Sequence, residues 1–472
     1  MITPKTTTRT DPSRTAERGP FPAFSDASRD ITPTVTSTRS TTLVVVGSLM
    51  SGLVLAALLC LLGFPGATEA VITGSVLIGF GVGWALLAGL SARSPRRQRW
   101  AWVPAVLMTT AGILLLAVVP GPKTMSALGW VWPPVLAATA LYCVNRMRRD
   151  LPGRGRLMLY PVLAGLVLAS AGGLYTQLAA VNGSSLPAMP GHAYEIDGRR
   201  LHLDCRGSGS PTVVVESGLA GTSASWARVV PEVAKTSRIC AYDRAGQGWS
   251  EEGSRPHDGL QAAHDLEALL QAAGEVGPFV LAGHSTGGTY VMTYAAQYPD
   301  DVAGMVLLDS SSPDQFELIS TMSSEFALTR RVVALLPSLS RLGLGHLVPA
   351  SFVSRLPQPA ADQVRALATS PQGLRNQRDE QAAIPALFRQ AQALTGLGDR
   401  PLVVVTALDH DEVGWREAQD RLAALSTNSS HRFAPTDHPG ILDDEAGATD
   451  SVHAIEDVVT AIRAGASLAR DR

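Results

Sequence analysis

Phe279-Val280-Leu281-Ala282-Gly283-His284-Ser285-Thr286-Gly287 decides how this chain is read. The four leading apolar residues read as a buried strand. Tyr290, Val291, Tyr294 and Ala295 recur at helical spacing just after it. Between strand and helix there is room only for a tight turn, and the turn carries a serine. Side chains two positions before and two after that serine would crowd the turn, and both positions are glycine. A serine held this way has its Oγ raised at the top of a sheet, where a carbonyl can reach it. The pattern also occurs as a plain structural turn. The strand before it and the apolar helix after it favour Ser285 as a nucleophile.

The 472 residues suffice for two or three structural units. With 39 Lys+Arg against 41 Asp+Glu the net charge is −2, which argues against nucleic acid as a partner. Only 17% of residues are charged and the mean hydropathy is +0.13, which points to membrane segments. The apolar runs sit almost wholly in the first 180 residues.

Residues 1–40 are rich in Thr, Ser, Pro and Arg and are expected to be a disordered cytoplasmic tail. Residues 41–180 hold five apolar runs: Thr41–Phe64, Ala70–Leu90, Trp100–Val119, Met125–Val144 and Leu157–Leu178. Each is close to the ~20 residues a helix needs to cross ~30 Å of hydrocarbon. None contains Lys, Arg, Asp or Glu, so no ion or proton pathway is indicated and an anchor is the simplest reading. Pro133-Pro134 interrupts the fourth run. Basic residues alternate between loops. Arg93, Arg96, Arg97 and Arg99 follow the second run, and Arg146, Arg148, Arg149, Arg154 and Arg156 follow the fourth. The loops after the first and third runs hold only Lys123. This predicts a multi-pass cell-membrane protein with a cytoplasmic N-terminus. Five crossings would put everything after Leu178 on the extracytoplasmic side. Residues 181–190 read as a linker, and 191–472 as a compact domain.

In that domain Tyr194–Ile196 and Leu201–Leu203 flank Asp197-Gly198, a favoured hairpin pair. Val213–Val215 is wholly apolar, as parallel strands buried on both faces are. Further strands are expected at Ile239–Tyr242, Phe279–Ala282, Met305–Leu308, Leu402–Val405 and His431–Phe433, with helices such as Ala262–Ala273 and Val452–Ala464 between or after them. The fold class is therefore α/β, a mainly parallel sheet covered on both faces, preceded by an all-α membrane region.

Residues 191–465 resemble the α/β-hydrolase family well beyond the serine turn. Val214-Val215-Glu216-Ser217-Gly218-Leu219 is similar to its third strand and oxyanion loop. Tyr242–Ser250, with Asp243-Arg244-Ala245-Gly246-Gln247-Gly248, is similar to its D-R-x-G-x-G-x-S loop. The resemblance implies a Ser–acid–His order along the chain. His438, in Thr436-Asp437-His438-Pro439-Gly440, is the implied base. Asp437 stands where relatives carry glycine, and His431 is an alternative. The acid is Asp309 after the sixth strand or Asp409 after the seventh, with Asp411 a distant third. The oxyanion donors implied are the amides of Leu219 and Thr286. Residues 310–399 would form a helical cap, with Phe316, Leu318, Phe326, Leu335 and Phe352 suggesting an acyl or alkyl pocket. Trp226 and Trp249 could line that pocket or pack in the core.

Of four cysteines, Cys60 and Cys143 fall in membrane runs. Cys205 and Cys240 fall on strands adjacent in the family's sheet order, and an oxidising compartment would permit a disulfide. With no C-x-x-C, no H-E-x-x-H and no phosphate-cradling loop, no metal or cofactor is expected. The leading expectation is a membrane-anchored serine hydrolase of the carboxylesterase or lipase type. It would cleave a carboxylic ester, thioester or lactone, from a small-molecule or lipid-like substrate, next to membrane lipid. A non-catalytic membrane receptor or scaffold with a hydrolase-fold ectodomain is the alternative.

Overall fold

The computed structural model describes residues 35–63, 67–92, 97–151, 153–182, 187–253, 258–409 and 412–468. Eight strands form one sheet: β1 His192–Ile196, β2 Arg199–Arg206, β3 Val213–Glu216, β4 Ile239–Tyr242, β5 Phe279–His284, β6 Val302–Leu308, β7 Leu402–Ala407 and β8 Ser429–Ala434. Their order is β1-β2-β4-β3-β5-β6-β7-β8. The β1–β2 and β2–β4 pairs are antiparallel and the others parallel.

Period-two alternation explains why these strands are apolar throughout. Val213, Val215, Val280, Ala282, Val306, Leu308, Val403 and Val405 pack against Val452, Ile455, Val458 and Val459 of the Glu445–Ala464 helix. The intervening Val214, Leu281, Met305, Leu307 and Val404 pack on the other face against the Gly259–Ala273 and Thr286–Gln297 helices. With both faces covered, neither parity can be polar. Cys205 and Cys240 are register partners across β2 and β4 and are joined by a disulfide.

The N-terminal helical region opens with α1, Val35–Leu58, so the first helix starts six residues inside the stretch expected to be a disordered tail. Polar residues at a helix end propagate readily from an apolar nucleus. Residues 1–34 of that expected tail lie outside the described residues. Four helical stretches, Thr42–Gly63, Glu69–Ser91, Arg99–Val118 and Gly155–Val181, are long and apolar enough to cross a membrane. We label α2 Glu69–Ser91, α3 Trp102–Val118, α4 Pro122–Leu128, α5 Trp132–Asp150 and α6 Gly153–Val181.

The fourth run is broken: α4 and α5 meet at 42°. The break precedes the two prolines, which occupy the first turn of α5, where a missing N–H leaves no bond unmade. The broken pair still runs the length of the bundle. Its start reaches the hydrolase-fold domain, where Arg341 Nη2 donates to Ser126 Oγ (3.3 Å). Its end reaches the Arg-rich α2–α3 loop, where Gln98 Nε2 donates to the Asp150 carbonyl (3.4 Å).

Candidate active site

The turn after β5 places Ser285 at φ 57° and ψ −130°, a conformation an L-residue adopts only under constraint. The constraint comes from both flanks. The Ser285 amide donates to the Leu308 carbonyl (3.1 Å), and its carbonyl accepts from the Ser311 amide (2.9 Å). A Cβ on Gly283 would lie 2.6 Å from Gly288 Cα, and one on Gly287 would lie 2.3 Å from the Glu216 carbonyl. The crowding argued from the sequence is therefore present at both glycines.

His438 sits in the loop between β8 and the Gly440–Asp443 turn of helix. Its Nε2 is 2.9 Å from Ser285 Oγ, and its Nδ1 is 2.5 Å from Asp309 Oδ2. A carboxylate can only accept, so Nδ1–H donates to Asp309. In the neutral ring this leaves Nε2 to accept the serine proton. Asp309 is fully buried at the end of β6 with φ 41°. Its Oδ1 accepts from the Ala407 amide (3.1 Å) and from Trp415 Nε1 (3.0 Å). The carboxylate is thus fixed by β7 and by a helix 106 residues downstream.

Between the two carboxylates left open by the sequence, the structure joins Asp309 to the histidine. Asp409 is exposed, and its amide donates to the Thr436 carbonyl (3.1 Å). Asp411 lies outside the described residues. His431 is engaged elsewhere, with Thr406 Oγ1 (2.8 Å) and Asp420 Oδ1 (2.9 Å). Asp437, the departure from the family pattern, has its carboxylate engaged by other partners. It accepts from the Gly440 amide (2.9 Å) and pairs with Arg355 of the cap, which holds its carboxyl below the usual range.

Two features were not foreseen. One is Trp415, which carries no local motif. The other is His284, the variable residue of the turn. Its ring stacks on His438 with centroids 4.8 Å apart and 29° between planes, and its Nε2–H donates to the His438 carbonyl (3.1 Å). Burial, and then the charge on His438, pushes its pKa down to about 3.

The Glu216–Leu219 loop lies against the serine so closely that a Cβ on Gly218 would sit 2.8 Å from Ser285 Cβ. Arg244, 4% exposed, holds this loop from behind. It pairs with Glu216 and with Glu380 (2.9 Å) of the Pro371–Ala391 helix, and lies over the Tyr290 ring at 4.2 Å. Burial pushes the Glu216 carboxyl up, and the Tyr242 hydroxyl donates to it. Arg244 also donates to the Ser217 carbonyl (2.6 Å) and the Gly218 carbonyl (3.2 Å). In a trans peptide the C=O and N–H point opposite ways. Holding the Gly218 carbonyl therefore turns the Leu219 N–H to the loop's other face. The Thr286 amide is at the start of the Thr286–Gln297 helix.

Leu219 packs with Tyr290, Ile384, Leu387, Phe388, Phe316 and Phe326, an apolar cluster beside the serine. Of the other aromatic and aliphatic residues expected there, Leu335 packs instead with Cys60 and Ile72 of the N-terminal helical region, and Phe352 is 84% exposed. Trp226 is fully buried in the sheet core, and Trp249 donates to the Pro187 carbonyl (3.1 Å).

The family comparison agrees with this architecture. Residues 211–445 match the family model described as alpha/beta hydrolase fold. The protein YqjL of Bacillus subtilis, uncharacterized, is 34% identical over 122 residues, covering 26% of this chain and 48% of that one. A 2-hydroxy-6-oxo-2,4-heptadienoate hydrolase of Pseudomonas putida is 27% identical over 39% of this chain and 73% of its own. A thermophilic esterase structure from Thermogutta terrifontis is 22% identical, with a TM-score of 0.44, covering 57% of this chain and 99% of that one. The chain spans about half the length, or less, of several curated relatives it matches.

Proposed function

From a chain whose residues 211–445 belong to the α/β-hydrolase fold family, we propose a membrane-anchored serine hydrolase that cleaves a carboxylic ester, thioester or lactone. The observation that carries this reading is the unbroken hydrogen-bonded chain from Ser285 Oγ through His438 to buried Asp309. His438 Nε2 takes the Ser285 proton as Oγ attacks the substrate carbonyl carbon. The Leu219 and Thr286 amides receive the oxyanion, and the dipole of the Thr286–Gln297 helix favours negative charge there. The protonated imidazole, charge-stabilised by Asp309, returns its proton to the leaving group. Water then repeats the sequence on the acyl-enzyme, releasing acid and free serine.

The basic loops support a cytoplasmic N-terminus. The Cys205–Cys240 disulfide supports a hydrolase domain facing an oxidising, extracytoplasmic compartment.

Membranes carrying the full chain should label with a fluorophosphonate probe, and Ser285→Ala should abolish the labelling. A folded wild-type protein that does not label would refute the reading and leave a non-catalytic receptor in its place.

A further inference from the structure

We infer that the cap segment 342–353 is embedded in the lipid leaflet that surrounds the C-terminal end of α6, and that the substrate is an acyl ester resident in that leaflet. The substrate half of this inference rests on the hydrolase reading above; the embedding does not.

Three membrane elements hold the cap below the ends of the spans. Ala334, after the Met322–Val333 helix, is fully buried among Cys60 after α1 and Ile72 of α2. Ser338 Oγ, in the Leu336–Arg341 helix, is 2.9 Å from Thr73 Oγ1 of α2. On α6, a Cβ on Gly172 would fall 2.1 Å from the Leu342 carbonyl, and His346 meets Tyr175 edge-on at 5.0 Å. Gly172 lies six residues before Leu178, where the last apolar run ends. At ~1.5 Å per residue the cap backbone therefore touches α6 about 9 Å inside that run. The buried pair of Arg341 with Glu69, the first residue of α2, is the polar rim of this contact.

The surface presented at this depth is apolar. From Leu342 to Ser354 there is no Lys, Arg, Asp or Glu. Leu347 is 75% exposed and Phe352 84%, with Leu344 also exposed. A patch of this kind on a water-facing domain would be an anomaly. Here it continues the exposed apolar surface of α6, formed by Leu174, Tyr175 and Leu178. The same acyl chains that cover α6 are the occupant that fits it.

The Met322–Val333 helix joins this surface to the site. Phe326 turns inward onto Phe316 (5.4 Å between centroids) in the cluster that includes Leu219. Leu328, two residues on and on the opposite side of the helix, is exposed between Glu325 and Arg331, so that side is polar. The helix thus runs from the apolar cluster that contains Leu219 and Tyr290 to Ala334 and Leu335, which pack on Cys60 and Ile72. An ester whose chains lie in the bilayer would approach Ser285 along this helix.

The test uses the full chain in lipid nanodiscs. Spin labels at Leu347→Cys and Phe352→Cys are compared with one at Val276→Cys, which is 83% exposed on the loop before β5. Collisions with oxygen should dominate over a water-soluble nickel chelate at the two cap sites and the reverse should hold at Val276. Cap labels as open to nickel as Val276, or closed to both reagents as in a contact between copies, overturn the embedding without reference to turnover. For the substrate, the double variant Leu347→Glu, Phe352→Glu is assayed on a long-chain ester in vesicles and a water-soluble short-chain ester. Charge is poorly tolerated in hydrocarbon, so the vesicle rate should fall about tenfold or more while the soluble rate holds. Equal loss on both esters, or none on either, overturns the leaflet route.

Discussion

Replacing His284 by phenylalanine probes the ring stacked on His438. Phenylalanine keeps an aromatic face there but cannot titrate. A free histidine has a pKa of about 6.5, whereas burial holds His284 down at about 3. Between those two values the unfolded chain binds a proton that the folded chain refuses. Stability contributed by the neutral ring is therefore complete above the free-histidine value and is lost as pH falls below it. At pH 5, roughly 1.5 pH units lower, the loss is about 2 kcal/mol, and it does not depend on the folded value as long as that lies below ~4. For a domain of this size, such a loss lowers the melting temperature by about 4–8 °C. The assay is thermal unfolding of wild type and His284→Phe in one detergent at pH 7.5 and 5. The variant starts lower, having lost the bond to the His438 carbonyl, but its fall between the two pH values should be smaller by that amount. Parallel falls would refute the assignment of a neutral, proton-refusing ring stacked on His438.

Asp309→Asn should lower kcat by a factor on the order of 10⁴, while exposed Asp409→Asn should leave it within about twofold; steady-state kinetics on one chromogenic ester separates the two. Gly218→Ala drives a methyl into Ser285 Cβ at 2.8 Å. Its kcat should fall about 10²–10³-fold as the oxyanion loop is displaced, with a smaller change in KM. Arg244→Met leaves Glu216 and Glu380 buried without their cation and should destabilise the domain by about 3–5 kcal/mol, read by chemical denaturation.

The sheet and the serine turn were legible because their physics is local. A strand covered on both faces must be apolar at every position, and a turn as sharp as that at Ser285 excludes side chains beside it. The acid was not legible. Asp309 and Asp409 both end apolar strands, and the choice is made by Trp415 and Ala407, which donate to one carboxylate. Neither donor leaves a mark near Asp309 in the chain. The cap misled for another reason. Apolar character marks a residue that avoids water but not the direction in which it does so. Phe316 and Phe326 turn towards the serine, whereas Leu335 and Phe352 do not. In the fourth membrane run the prolines marked the right neighbourhood, but they begin a helix there and do not break one.

Arg244 shows why the loop beside the serine and the cap cannot be understood separately. Its guanidinium serves two carboxylates and two carbonyls at once. Only a planar fork with five N–H groups can do this, and lysine, a point charge with three rotatable donors, cannot. One cation against two buried carboxylates leaves a negative excess, which the hydroxyl donation from Tyr242 to Glu216 helps to offset. Glu380 belongs to the cap and Glu216 to the end of β3. Withdrawing Glu380 would leave the cation with a single carboxylate and change its hold on the Ser217 and Gly218 carbonyls. The orientation of the Leu219 N–H therefore depends on the cap being seated. That cap is itself seated on α2 through Arg341 and Glu69. A chain of buried ion pairs and helix contacts runs from the N-terminal helices through the Pro371–Ala391 helix to the loop beside Ser285.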